Sequence, residues 1–492
     1  MGGSESKSTD VKHELLFDEE EKSRVSSVFA SISHGKKSFN KEQFLHFTST
    51  VLDTFTSSRM YDLIEGPLPP HRQQHHQRRH AHHQHRGHEI QLQHFASHLG
   101  LLLKGNITDL AHSCIFLAST TPDSVSGPNL VKLVTNVLTS YERVLHAHCT
   151  AYQSWMFAAS KGSHDNLANS LLKDLLHSDG RSVSGTGEKE ETSKMFDVSD
   201  IEQWLSRSSL FTQVLRQVFD GAFQFYHVEP QEMVFAPKVP HVRDTNWSQC
   251  RTVLDFPTVL FLNFSVPPLL QTQWKLLFNS TLHGASFSQL LQRVRGKGPT
   301  YLIVKDKNGN VFGGFASIPW EINPKFTGDS SCFLFKACPD YSIYRPTGYN
   351  ENFMYLNHRV QTLPNGLGMG GQLEYFGLWI DQEFDIGHSK AGAKGCTTYG
   401  SPQLSGDAEF QVDCLEVWAI GKEKRKDGEE DEDEEEDTAD NAKGGEKSIL
   451  DKMSSEDKAI LEMVDRGTIS DAMREEPIVE ETAAHKSIIS PF

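Results

Sequence analysis

The spacing of apolar residues changes once along this 492-residue chain, and that change divides it. Up to about residue 229 they recur three and four positions apart, the repeat of a helix with one buried face. Beyond it they gather into short runs between glycine-rich turns, the pattern of strands. Helices therefore come first and sheet second. A single core stops growing near roughly 250–300 residues, so a chain of this length divides into more than one domain.

Within the first half, residues 14–65 carry Val25, Val28, Phe29 and Ile32, then Phe39, Phe44, Leu45 and Phe47, on either side of a turn at Gly35. Two helices joined by a short loop follow, in the manner of an EF-hand. Its loop, Ser31-Ile-Ser-His-Gly-Lys-Lys-Ser-Phe-Asn-Lys-Glu, lacks the carboxylate and amide oxygens that calcium takes, so a degenerate hand without metal is expected. Residues 90–229 read as a helical middle domain, interrupted by a Gly/Ser loop at 178–192.

In the second half, Thr300-Tyr-Leu-Ile-Val and Val311-Phe-Gly-Gly-Phe flank Lys307-Asn-Gly-Asn. Asn308-Gly309 predicts a hairpin with a primed turn. Further strands are expected at 332–336, 373–380 and 412–420, with one helix at 286–294. Residues 243–421 should then form a β-sandwich flanked by helices. Two segments cannot bury a core. One is a His/Gln/Arg-rich insertion at 66–89; the other is a charged linker at 422–445 with an acidic run at 427–437. After the linker, Ile449, Leu450, Met453, Ile460, Leu461 and Val464 recur at helical spacing within 446–476. They predict an amphipathic helix whose apolar face binds a partner.

The formal net charge of -17 disfavours nucleic acid, and no apolar stretch reaches the roughly 20 residues that cross a bilayer. The best apolar run, 259–270, is broken by Asn263, Pro267 and Pro268. Seven scattered cysteines without an apolar leader segment are expected to be reduced thiols in the cytosol. Membrane contact has a different source. Met1-Gly2-Gly3-Ser4-Glu5-Ser6 fits the pattern for myristoylation of Gly2 on an unfolded terminus, residues 1–13. One acyl chain holds a bilayer only marginally, so a protein partner is expected to supply the second contact.

Signatures of catalysis are missing: the chain has no P-loop, C-x-x-C pair, H-E-x-x-H or G-x-S-x-G. Gly366-Leu-Gly-Met-Gly-Gly lies between β-type segments and opens no helix, so it is read as a tight turn and not as a phosphate cradle. His283, His358 and His388 have Glu351, Glu374 and Asp385 as acidic candidates for acid–base work. Cys338, Cys396 and Cys414 are candidate redox thiols, weighed against the reading that they are buried and inert. No catalytic residue, cofactor or metal ligand is assigned, and the protein is expected not to be an enzyme.

Six motifs stand in order within 243–421: Gly298-Pro-Thr-Tyr-Leu-Ile-Val-Lys-Asp, Phe312-Gly-Gly-Phe-Ala-Ser-Ile-Pro-Trp, Cys332-Phe-Leu-Phe, Gly366-Leu-Gly-Met-Gly-Gly, Thr398-Tyr-Gly-Ser-Pro-Gln-Leu-Ser and Phe410-Gln-Val-Asp-Cys-Leu-Glu-Val-Trp. Through them the segment resembles the TLDc domain family. That resemblance implies a β-sandwich flanked by helices, association with the vacuolar proton pump (V-ATPase) and a link to oxidative-stress resistance without an established reaction. The Gly2 terminus, the degenerate hand and the terminal helix resemble the myristoylated branch of the family. This further implies a place on the cytosolic face of the lysosome and partners in the mTOR signalling complex. The alternative is an enzyme-like antioxidant role for a cysteine or histidine of the TLDc domain.

Overall fold

A computed structural model of the chain describes residues 16–69, 89–119, 121, 123–159, 161–177, 194–225, 238–390 and 395–422. Gly2, most of the 66–89 insertion, the 178–192 loop, the acidic linker and the 446–476 segment with Ile449, Leu450, Met453, Ile460, Leu461 and Val464 lie outside the described residues.

The helical half opens with α1 (Glu19–Ser33), whose first turn is closed by a reciprocal cap between Asp18 and Glu21. After β1 (Ser38–Phe39) come α2 (Lys41–Thr48), α3 (Thr54–Glu65), β2 (Ile90–Gln91) and α4 (Leu92–Lys104). β1 and β2 pair antiparallel, Ser38 opposite Gln91 and Phe39 opposite Ile90, so two helix–loop–helix units meet loop to loop across the 66–89 insertion. The arrangement then repeats. α5 (Ile107–Ala118), β3 (Ser124–Ser126) and α6 (Gly127–His148) form one unit; α7 (Ser163–Leu176), β4 (Met195–Asp197) and α8 (Val198–Arg207) form the next, and β3 pairs with β4. α9 (Ser209–Phe223) follows.

In this half, polar side chains at the loop ends serve as helix caps: Asn40 with Gln43, and Asp197 with Asp200. Phe39 sits at the centre of the first pair, against Phe29, Phe44, Tyr61 and Phe95.

The second half is built on β5 (His241–Arg243), α10 (Phe256–Phe264), β6 (Gln273–Asn279), α11 (Phe287–Val294), β7 (Thr300–Asp306), β8 (Val311–Ala316), β9 (Asn323–Thr327), β10 (Phe333–Cys338), β11 (Ser342–Tyr344), β12 (Met354–Asn357), β13 (Gly366–Gln372), β14 (Tyr375–Asp381), β15 (Ile386–His388) and β16 (Glu409–Ile420). The strand order is β11-β10-β8-β7-β16-β15-β14-β13-β12-β9, with β6 also on β16. The 12-residue β16 joins the layers. Gln411 pairs with Ile386 of β15, while the stretch to Ala419 runs beside β7. A Cβ on Gly314 of β8 would meet the sulfur of Met369 on β13 at 2.3 Å, so the two sheets face each other in close contact. Leu302, Val304 and Leu334 meet Leu367, Leu378 and Ile380 in the buried core. This is the α plus β architecture read from the sequence: a helical half followed by a TLDc-type β-sandwich with flanking helices.

Two local readings change. The loop between β7 and β8 is not a primed turn, because Gly309 is left-handed at φ 88° and Asn308 is not. Gly309 N–H donates to Asp306 O, and the Asp306 side chain accepts from Asn310 N–H at 2.8 Å, giving a type I turn followed by a bulge. Gly366-Leu-Gly-Met-Gly-Gly is also not a turn. It is β13, and its glycines answer crowding: a Cβ on Gly370 (φ 73°) would stand 2.6 Å from the Tyr399 ring.

Candidate functional site

The site lies where the two halves meet, and its walls depend on how that seam is sealed. Trp155, just after α6 and the short helix that follows it, stacks on Phe157 at 5.1 Å and packs against Trp274 at 5.7 Å. Its indole donates to Pro240 O at 2.7 Å, and Trp247 donates back to Ser154 O at 2.9 Å. Ala158 N–H reaches Leu254 O at 2.8 Å, and Tyr341 N–H reaches the Ser170 hydroxyl at 2.9 Å. Ser163 donates to the Asp255 carboxylate. Apolar residues of both halves belong to one continuous buried cluster. The seam is therefore packed core, and the halves move as one body.

Along that seam opens a cleft of about 890 Å³. Met156, Ala158 and Lys161 come from the helical half. Trp247, Cys250 and Arg251 form one wall, and Lys305, Cys338, Asp413 and Cys414 come from the sheet. Beside it lies Glu416, wholly buried on β16. Its carboxylate accepts from the Thr252 hydroxyl (2.8 Å), Val253 N–H (2.9 Å), Asn279 Nδ2 (3.0 Å) and Trp418 Nε1 (2.8 Å). Burial raises its pKa, and these four donors pull it back down. Asn279 also caps the short helix at Ser280–His283, so one carboxylate ties the segment before α10, the end of β6 and β16 together.

The thiols here are in their neutral form. Burial, then the Glu416 charge, pushes Cys250 up to about 11, and burial likewise raises Cys414 and Cys338. None of the seven cysteines is in a disulfide. Cys396 is buried under β13 and β14, where a Cβ on Gly377 would touch its sulfur at 2.7 Å.

The histidine pairs considered from sequence are not assembled: none of His283, His358 and His388 is hydrogen-bonded or ion-paired to Glu351, Glu374 or Asp385. His283 accepts from Asn279 N–H at 3.1 Å, His358 lies against Phe287, and His388 is stacked on Trp379. Burial takes His388 down to about 4. No group of three or more metal-ligating side chains occurs among the described residues.

What the cleft offers is a mixed-charge rim, with Lys305 and Asp413 paired at 3.2 Å, and a floor of protonated thiols. That suits a polypeptide segment. Glu416, Cys250, Asn279 and Trp155 were not singled out from the sequence. The one signal available was an acid interrupting the apolar run of β16.

A β-sandwich of this topology carrying these motifs defines a TLDc-domain protein, and residues 247–421 match the TLDc domain family. The likeness extends through the helical half. The chain is 38% identical to the MTOR-associated protein MEAK7 of Gallus gallus over 394 residues, 79% of each chain. It is 36% identical to that of Homo sapiens over 386 residues, 78% of this chain and 80% of that one. Oxidation resistance protein 1 of Xenopus tropicalis is 31% identical over 177 residues, 36% of this chain and 19% of that protein. The chain belongs to the MTOR-associated protein MEAK7 family.

Proposed function

We propose that this protein is a regulatory binding protein of mTOR signalling, without catalysis of its own. It resides on the cytosolic face of the lysosomal membrane through a myristoyl group on Gly2. It binds V-ATPase through the TLDc domain and the 446–476 segment, and components of the mTOR signalling complex are its further partners. The observation that carries this reading is the kinship with MTOR-associated proteins along the helical half as well as the sandwich. The geometry supports it: the packed seam gives a partner one rigid surface, and the thiols of the cleft are held protonated.

Lipid, domain and terminal segment each bind weakly, and on one tether their contributions multiply through effective concentration. The test is affinity capture from lysosomal membranes of wild type, Gly2→Ala and a chain ending at Lys422. Pump subunits should come with wild type, fall with the shortened chain, and lose their membrane-dependent share with Gly2→Ala. Equal recovery of pump subunits by all three would remove both the tail and the lipid from the account. Peroxide consumption by the purified chain, abolished by Cys414→Ser, would instead favour the antioxidant reading.

A further inference from the structure

We propose that His94 and His98 on α4 form a binding site for a borderline divalent transition-metal ion, of the class of Zn²⁺. Nothing in the family kinship or in the cleft at the seam assigns a role to this pair.

The two residues are four apart on one helix, so they stand one above the other on the same face, and their ring centroids are 4.7 Å apart. Nδ1 of His98 lies 3.0 Å from the carbonyl oxygen of His94. A carbonyl only accepts, so Nδ1 carries the proton, and in the neutral ring Nε2 is left with a bare lone pair. A backbone carbonyl on one imidazole nitrogen is the arrangement that fixes the other as a metal ligand. That Nε2 is buried and has no hydrogen-bond partner, in a residue only 3% exposed. Buried polar atoms without partners are rare enough to require a reason.

The surroundings favour a cation. Nε2 of His94, on the exposed side of the pair, is 3.1 Å from the carbonyl of Gly66. Gly66 is the C-cap of α3, and a helix C-terminus presents unpaired carbonyls and the negative end of its dipole. Burial keeps His98 deprotonated, with its pKa lowered to about 4 against the smaller pull of the His94, Pro67 and Gly66 carbonyls. Binding would exchange the His94–Gly66 hydrogen bond for a metal bond and give His98 the partner it lacks. Water or an exogenous ligand would complete the shell.

The chain also carries eight histidines between residues 71 and 88, so the experiment must separate the pair from the tract. Zn²⁺ binding to the full-length chain is measured by competition with a chromophoric chelator, and Co²⁺ substitution reports nitrogen ligation by its absorption. The variants are His94→Gln, His98→Gln and a chain with the eight histidines of the tract replaced by glutamine. One site should survive loss of the tract, and each single variant should weaken it by about tenfold or more. His94 is exposed, so His94→Gln tests the site without disturbing the core; circular dichroism checks the fold of His98→Gln. The proposal is overturned if His94→Gln binds Zn²⁺ as wild type does, or if removing the tract abolishes all binding.

Discussion

Trp155 of the helical half and Trp418 of β16 stand with ring centroids 5.2 Å apart, both buried, at a seam more than 260 residues long in sequence terms but continuous in space. Cutting Trp155 to alanine removes the largest side chain that the helical half places there. We expect a loss of about 3–5 kcal/mol, typical of an aromatic deleted from a core. Urea unfolding followed by helix ellipticity and by tryptophan fluorescence should give coincident transitions in wild type. In Trp155→Ala the two midpoints should separate.

Glu416 has no water to replace its donors. Glu416→Ala strands the Thr252 hydroxyl, Val253 N–H, Asn279 amide and Trp418 indole together, at a cost of about 3–5 kcal/mol. Glu416→Gln keeps one accepting oxygen but turns an NH₂ toward donors, so it should fall between wild type and alanine. Denaturation midpoints of the three chains check the order.

Protonation of buried histidine should weaken the fold in acid. His388 titrates near 4 in the native protein against an ordinary value near 6.5. Between these values the unfolded chain takes up a proton that the native one does not, so stability falls as pH is lowered through that window and is unaffected by His388 above it. His388→Gln should flatten this part of the stability profile. The check is the difference between the two chains, since other groups titrate in both.

Thiol reactivity follows from burial. With Cys250 pushed up to about 11, its thiolate fraction at pH 7.4 is about a hundredfold below that of an ordinary cysteine. Iodoacetamide labelling, read by mass spectrometry, should leave Cys250 and Cys414 nearly untouched in the native chain and label them readily in urea.

The change of apolar spacing near residue 229 made the two halves legible, because helix and strand repeats are local. What depends on partners far away in sequence was not. β1 and β2 are two residues each and show no periodicity; they are recognised only by pairing across the insertion. The glycines of β13 look like a turn until Tyr399 and Trp379 are seen pressed against them. Glu416 looks like a solvent-facing acid, since its donors at Thr252, Val253 and Asn279 lie more than 130 positions away. The pair His94 and His98 has a visible spacing, but the carbonyl that fixes the tautomer and the missing partner on Nε2 belong to the fold alone.

The central claim is that this chain acts by binding V-ATPase through its TLDc domain and terminal segment. Hydrogen–deuterium exchange on the full-length protein, with and without purified pump, tests it most directly. The account predicts added protection within 247–421 and across Ile449 to Val464 when the pump is present. Identical exchange in both samples, with the pump in excess, would contradict it.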